Sequence, residues 1–459
     1  MANEGTGPLG FARGDSGSRA SVARGIVARM SETDTTGHGV KAETAARQGA
    51  ALSAARRVRP VAPLTVFSIP GYGQLWTGCV FLSLGNWAER LSVGWLVLTE
   101  TGSILAAAST MAVRSGAGIL VAPFAGAIAD KVPRNRLLLA TSVFKACVVA
   151  GAGYLAVGGI GSQWNILPLM ALLGAAQAFE IPSTQAMVAD IAGRERTMSA
   201  LAVQSVGTRA IGVFGALMGG VVSDRLGAPP ALYVGAAFLV IGGMTLYSVR
   251  APVRIVAART DGVLRGAVDG LKAVSRDRTV AVLLGMAMFV EIFGFAYQAV
   301  LPSVAQDVLG LKATGYGTLT VAAGIGAVVG VAGMSMLGDY PRKGRLVIGI
   351  IFVFGVTMLA FGTSTVLAIS LALIAVIGAC MAIFDAMQWT MLQAHVPDAM
   401  RGRVVAAWIF AIGFGWTGHL LLGYVAEEIG VQWALYASGG MLLVAGTVAL
   451  VLFRRVRLL

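Results

Sequence analysis

Four acids, Glu89, Glu180, Glu291 and Asp385, each lie well inside an apolar run long enough to cross a bilayer. Four bases do the same: Arg90, Arg114, Lys145 and Arg209. A charge at mid-bilayer costs at least about 2.5–3.5 kcal/mol on insertion scales, so eight of them persist only if they pair or face water. The chemistry such residues can do is proton or cation exchange. A carboxyl whose cationic neighbour changes between two states can bind and then release a proton. At least one of the four acids is expected to be a proton- or cation-coupling group of this kind, with Glu89 and Glu180 ahead of the others. The competing reading is fixed ion pairing with Arg90, Arg114 and Arg209. Adjacent Glu89 and Arg90 point about 100° apart on a helix, so each is expected to look to a different span. Arg90 is expected to hold a neighbouring helix, and Lys145, near the end of its run, to snorkel to the interface.

Other chemistry is poorly supported. Cys79, Cys147 and Cys380 are far apart and sit in apolar runs, and His38, His395 and His419 are scattered. Neither set has metal-ligand or redox spacing. No Walker loop, dinucleotide fingerprint or nucleophile–base constellation occurs. These residues predict no metal, no cofactor and no enzymatic activity, and they disfavour a pump driven by ATP on this chain. His395 and His419 are read as structural.

The elements that must position the charges follow from composition. Of 459 residues, 56% are hydrophobic and 12% charged, with a mean hydropathy of +0.78. A soluble domain carries about 25% charged residues, so this is a membrane protein. Twelve apolar segments are expected at 74–98, 103–128, 137–158, 165–189, 199–222, 229–249, 280–303, 314–338, 346–362, 366–394, 404–426 and 431–453. Residues 1–70, rich in Arg, Ala, Gly and Ser, read as a disordered cytoplasmic tail within which Met30 is an alternative start. The spans divide into bundles at 71–250 and 279–459, joined by a linker at 251–278. Within the linker, Val263, Leu264, Ala267, Val268, Leu271 and Val274 share one broad helical face, which suits a helix lying on the inner leaflet.

The net charge of +13 matters through its location. Outside the tail, 20 loop Lys and Arg residues fall on one side, including Lys131, Arg134, Arg136, Arg342 and Arg401, against Arg225 and Lys312 on the other. That asymmetry sets both termini in the cytoplasm of a multi-pass protein of the cell (inner) membrane. The charge is therefore no sign of nucleic acid. The expected partners are a small-molecule substrate, protons and membrane lipid, with the chain a monomer.

The halves repeat. Phe179-Glu180 is followed sixteen residues after the acid by Arg196, and Phe384-Asp385 at the same distance by Arg401. Trp87, Glu89 and Trp95 match Phe289, Glu291 and Tyr297 in spacing. Internal repeats mark secondary transporters, whose sites lie near midplane where the repeats meet. Gly215/Gly219 and Gly326/Gly330 have the spacing of close-packed helix seams.

The stretch Gly126 to Arg136, "GAIADKVPRNR", resembles the signature loop of the major facilitator superfamily, with Gly126, Asp130, Lys131, Arg134 and Arg136 matching and Pro133 in place of the usual glycine. A degenerate copy runs from Gly338 to Arg345. "VPDAMRGRV", Val396 to Val404, and "GIGAVVG", Gly324 to Gly330, resemble the branch of siderophore and drug exporters. The resemblance covers roughly residues 65–455. It implies an all-α fold of twelve transmembrane helices in two pseudo-symmetric six-helix bundles. It also implies a central cavity lined by spans one, four, seven and ten, and a gate at the Asp130 loop. Gly215 to Gly220 is similar to the antiporter motif of exporters, although Ala216 stands where Pro is usual.

On this reading Glu89, Glu180, Glu291, Asp385, Arg114 and Arg209 are coupling or cavity charges. Asn86, Gln177, Tyr297, Gln298, Gln388 and Trp389 are candidate substrate contacts, although hydrogen bonding between helices is the ordinary use of such groups. The expected function is export of a small drug-like or siderophore-like molecule by alternating access and proton antiport. The alternatives are a proton-coupled importer of a metabolite and, from another class, a receptor or scaffold that moves nothing.

Overall fold

The computed structural model describes residues 63–129, 131–160, 162–249, 277–336, 342–396 and 401–453. The expected linker helix as far as residue 276, Asp130, the first half of the second copy of the signature loop and the tail as far as residue 62 lie outside the described residues. Pro63–Ser68, within the segment expected as tail, forms a 3-10 helix whose Val66 is fully buried.

Twelve helices follow, wholly without strands among the described residues. They are α1 (Tyr72–Thr101), α2 (Ile104–Ala129), α3 (Arg134–Val157), α4 (Trp164–Gly193), α5 (Arg196–Leu226) and α6 (Ala228–Tyr247). The second six are α7 (Arg278–Val308), α8 (Ala313–Met336), α9 (Lys343–Thr363), α10 (Leu367–His395), α11 (Arg401–Gly413 and Gly415–Ile429) and α12 (Val431–Leu452). Eleven contain a stretch long and apolar enough to cross a membrane on composition alone. The remaining one, α1, is 30 residues long, and Asn86, Glu89 and Arg90 dilute its apolar run. This is the expected all-α fold of two six-helix bundles.

Breaks occur where the backbone demands them. Between α4 and α5 the chain turns at Gly193, whose φ of 68° favours a residue without Cβ. Pro182 removes one helical donor two residues after Glu180. In α7 a π-helical turn, Glu291–Phe295, begins on the acid itself, and such turns often accompany functional sites. In α11 the helix is interrupted at Phe414, and the next residue, Gly415, lies against the Glu291 side chain.

One apolar core is drawn from α1–α6; the other is drawn chiefly from α7–α12 with Leu91 and Ala216 added. Small residues set the closest approaches, as expected in lipid, where packing replaces the hydrophobic drive. A Cβ on Gly215 or Gly219 would strike α1 at Leu84 or Ala88. A Cβ on Gly326 or Gly330 would strike α10 at Ala375 or Ala379. Both expected seams are therefore present.

The bundles meet along α5·α8 and α2·α11. Gly220 lies against Ala313, Gly317 against Leu217 and Gly324 against Val213. On the other flank Gly423 lies against Ala108 and Gly413 against Ile119. These contacts run from the end bearing the short turns Thr101–Ile104 and Leu226–Ala228 to the middle of the helices. At the basic-loop end, Phe124, Met198 and Met336 are 60%, 80% and 88% exposed.

Candidate functional site

Four of the eight interior charges close into one buried knot. Arg114 of α2 makes an ion pair with Glu89 of α1. Lys145 of α3 donates from Nζ to Glu180 Oε2 of α4 at 2.6 Å, to Asn86 Oδ1 at 2.5 Å and to Gln177 Oε1 at 3.1 Å. Gln177 Oε1 also accepts from Arg114 Nη2 at 3.3 Å, and Asn86 Nδ2 donates to Glu180 Oε1 at 3.1 Å. Two acids and two bases thus balance inside the first bundle, with Gln177 joining the pairs. Such a knot survives burial because nearly every charge has hydrogen-bonded partners. Glu89 Oε1 is the exception, buried without a donor.

This geometry corrects three expectations. Lys145 does not snorkel: it is 0% exposed, because Glu180 and two amide oxygens surround its ammonium more closely than interfacial water could. Glu89 and Glu180, expected ahead of the other acids as coupling groups, each already have a dedicated base. Asn86 commits both polar atoms of its amide, and Gln177 its Oε1, to the knot.

The other four charges stand differently. Among the described residues, neither Glu291 nor Asp385 makes an ion pair, and the two lie within electrostatic reach of each other. Arg209 of α5, an exposed residue, acts on Asp385 from the opposite bundle without touching it. Arg90 holds no helix by an ion pair. It lies 5.6 Å from the Trp87 ring centroid, with Nε unpartnered, and within electrostatic reach of Tyr316 on α8 and His419 on α11. Its place beside the second bundle follows from the helical turn between it and Glu89.

The remaining candidates divide. Gln388 is 1% exposed; its amide donates to the Leu283 carbonyl at 2.7 Å and accepts from Trp408 Nε1 at 3.3 Å, so it ties helices rather than facing a cavity. Tyr297 is 2% exposed and belongs to the second core. Trp389 packs edge-on against Trp408 at 5.0 Å, and Gln298 is half-buried on α7. In the signature loop, Arg134 pairs with Asp190 of α4 and so anchors α3 within its own bundle. Lys131 and Arg136 are exposed, and Gly126 is half-buried. Asp190 went unnoticed in the sequence because nothing local marks it as a partner for a residue 56 positions away.

The acid repeat also shifts. Gly415 and Gly418 on α11 lie against Glu291 and Ile292, whereas Gly212 and Gly215, at the same distances from the end of α5, lie against Ser83 and Leu84. Glu291 therefore takes the place of Ser83, more than a turn from that of Glu89. The matched aromatic spacing aligned the acids; the helix contacts set a different register.

Comparisons with known proteins agree with this architecture. The family model described as a transmembrane secretion effector matches residues 60–458. The multidrug efflux pump Tap of Mycolicibacterium fortuitum is 27% identical over 392 residues, covering 81% of this chain and 92% of that protein. The staphyloferrin A transporter of Staphylococcus aureus is 23% identical over 76% of this chain and 88% of its own. A solved nucleoside transporter, NupG, superposes with a TM-score of 0.67 at 17% identity, covering 84% of this chain and 99% of that one.

Proposed function

The chain belongs to the transmembrane secretion effector family of the major facilitator superfamily, and from that premise we propose that it exports a small organic molecule in exchange for protons. It is a small-molecule carrier, not an enzyme. The observation that carries the coupling proposal is the asymmetry of the interior charges. Glu89 and Glu180 are neutralised within their bundle, while Glu291 and Asp385 have no ion-pair partner. Both are half-buried, and a carboxylate partly withdrawn from water without a counter-ion is costly, so these two acids are the groups that gain most by taking up a proton or a cationic substrate. Arg209, acting on Asp385 from the other bundle, would change its distance as the bundles rock and so alter the acid's proton affinity between states.

The names of two relatives, a multidrug efflux pump and a staphyloferrin A transporter, support a drug-like or siderophore-like cargo, and the first of them supports export. The excess of Lys and Arg in alternate loops supports cytoplasmic termini, with the short-turn end outside. Contacts between bundles along the short-turn half, with exposed helices at the basic end, then correspond to a cavity open to the cytoplasm. The bundles at 71–250 and 279–459 would be the rocking bodies, and the Asp130 loop their cytoplasmic gate.

The test is substrate flux driven by an imposed pH gradient, in inside-out and right-side-out vesicles, using a panel of cationic dyes and ferric-siderophore ligands. Glu291→Gln and Asp385→Asn should each abolish acceleration by the gradient while downhill exchange persists. Full coupling in both variants would refute the assignment, and flux driven inward would refute export.

A further inference from the structure

We infer that Asp224 and Glu427 are paired latches that hold the bundles together at the short-turn end and must release in each transport cycle. Each acid comes from the last turn of a helix in one bundle and caps the first turn of a helix in the other. Asp224 of α5 accepts from the backbone amides of Ala313 (Oδ1, 2.9 Å) and Thr314 (Oδ2, 2.8 Å), the first two residues of α8. Glu427 of α11 accepts through Oε2 from Ile104 at 2.6 Å and Leu105 at 3.2 Å, the first two residues of α2. The two arrangements are equivalent: fifth helix to eighth, and eleventh helix to second.

The chemistry suits a reversible contact. The first amides of a helix have no partner within it, and the positive end of the helix dipole favours a carboxylate there. In α2 the third amide, of Ala106, is met locally by Ser103 Oγ at 3.0 Å, so the acid from the other bundle completes the cap. Both acids are exposed, so water can replace them when the bundles part and no buried charge is stranded. Neighbouring charges do not take over the role. Arg225, Lys312 and Glu428 lie beside the latches in sequence, and among the described residues none of them makes an ion pair with Asp224 or Glu427. The latches sit on opposite flanks of the bundle interface, beyond the Gly220–Ala313 and Gly423–Ala108 contacts. A wide opening at this end therefore requires both to break.

The inference rests on the transporter reading for its place in a cycle, and its test is separable from that reading. On a background lacking the three native cysteines, Ala216→Cys puts a thiol in the buried α5·α8 contact, where Ala216 is 0% exposed. In reconstituted vesicles its rate of alkylation by an impermeant maleimide, applied at the short-turn face, follows the open population. Removing a helix-capping acid typically shifts such an equilibrium about fivefold. Asp224→Ala and Glu427→Ala should each raise the rate about fivefold, and the double variant should raise it more than either. Asp224→Asn and Glu427→Gln, which keep an acceptor oxygen, should raise it less, and Glu428→Ala should leave it unchanged. An unchanged rate in the double variant, or an equal rise in Glu428→Ala, would overturn the latch. Raised rates without flux in any variant would overturn the transport reading and leave the latch standing.

Discussion

Replacing Lys145 with methionine keeps most of the side-chain volume and removes one charge from the buried knot. The Nζ–Oε2 distance of 2.6 Å corresponds to about 6 kcal/mol of attraction at an effective dielectric constant of 20. Most of that is offset by the desolvation of two ions, so the intact pair is worth little against an apolar substitute. Losing one partner is different, because Glu180 would remain buried with only Asn86 as a donor. Lys145→Met should therefore destabilise the protein by about 3–5 kcal/mol, and Glu180→Gln by a similar amount. The double variant should recover to within about 1–2 kcal/mol of wild type, giving a coupling energy of several kcal/mol. Reversible unfolding in mixed micelles would measure all four proteins. A cost below about 1 kcal/mol for Lys145→Met, or simple additivity in the double variant, would refute the knot as described.

Other outcomes follow from individual contacts. Gly174→Ala should impair transport without touching a charge, since its Cβ would strike the Arg114 backbone and push α2 from α4; normal flux would contradict this. Gln388→Leu should cost about 1–2 kcal/mol in unfolding assays yet leave substrate affinity unchanged, as expected of a residue that ties Leu283 to Trp408. Asp277 caps α7 through the amides of Thr279 and Val280. Burial pushes its carboxyl up, but these amides and nearby His395 outweigh that and hold it below its ordinary value. Its contribution is therefore complete above the unfolded value of about 3.9 and is lost as pH falls through the lower folded value. Asp277→Ala should cost about 1 kcal/mol at pH 7, with the difference from wild type vanishing in strong acid; a constant difference across pH would contradict this.

The spans were legible because each apolar run stops at a residue that hydrocarbon or helix geometry rejects. The segment expected at 431–453 is observed as Val431–Leu452, opened after Gly430 with a φ of 104°, and that expected at 74–98 as Tyr72–Thr101, closed by Gly102 with a φ of 67°. Charge counts likewise exposed the interior residues. Their partners were not legible, because pairing depends on which faces of distant helices meet. Lys145 reads locally as a basic residue near an interface, and only the approach of α1 and α4 shows that its ammonium is enclosed. Asp224 and Glu427 read as ordinary charges at helix ends. Their signal was their equivalent position in the two halves, which becomes visible once the helix termini of the opposite bundle are placed beside them.

The structural equivalences explain why the two halves hold their acids so differently. Arg114 lies ten residues past Ile104, the first residue of α2; ten residues past Ala313, the first of α8, stands Ala323. The backbone contacts agree, for Gly174 lies against Arg114 and Gly378 against Ala323. Likewise Gly153 packs on Leu232 and Tyr233 as Gly362 packs on Leu435 and Tyr436, and counting eight residues back leads from the first glycine to Lys145 and from the second to Phe354. The two bases of the knot thus correspond to an alanine and a fully buried phenylalanine in the second bundle. A second knot cannot form there, whatever acids are present. The first bundle has both its acids locked to Arg114 and Lys145 by contacts that need not change as it moves as a body. The second keeps Glu291 on a π-helical turn against the break in α11, with Asp385 within its reach and a cation only across the interface. Rocking changes distances between bundles far more than within them. On the proposed rocking mechanism, the acids whose environment would depend on the state of the carrier are therefore those of the second bundle.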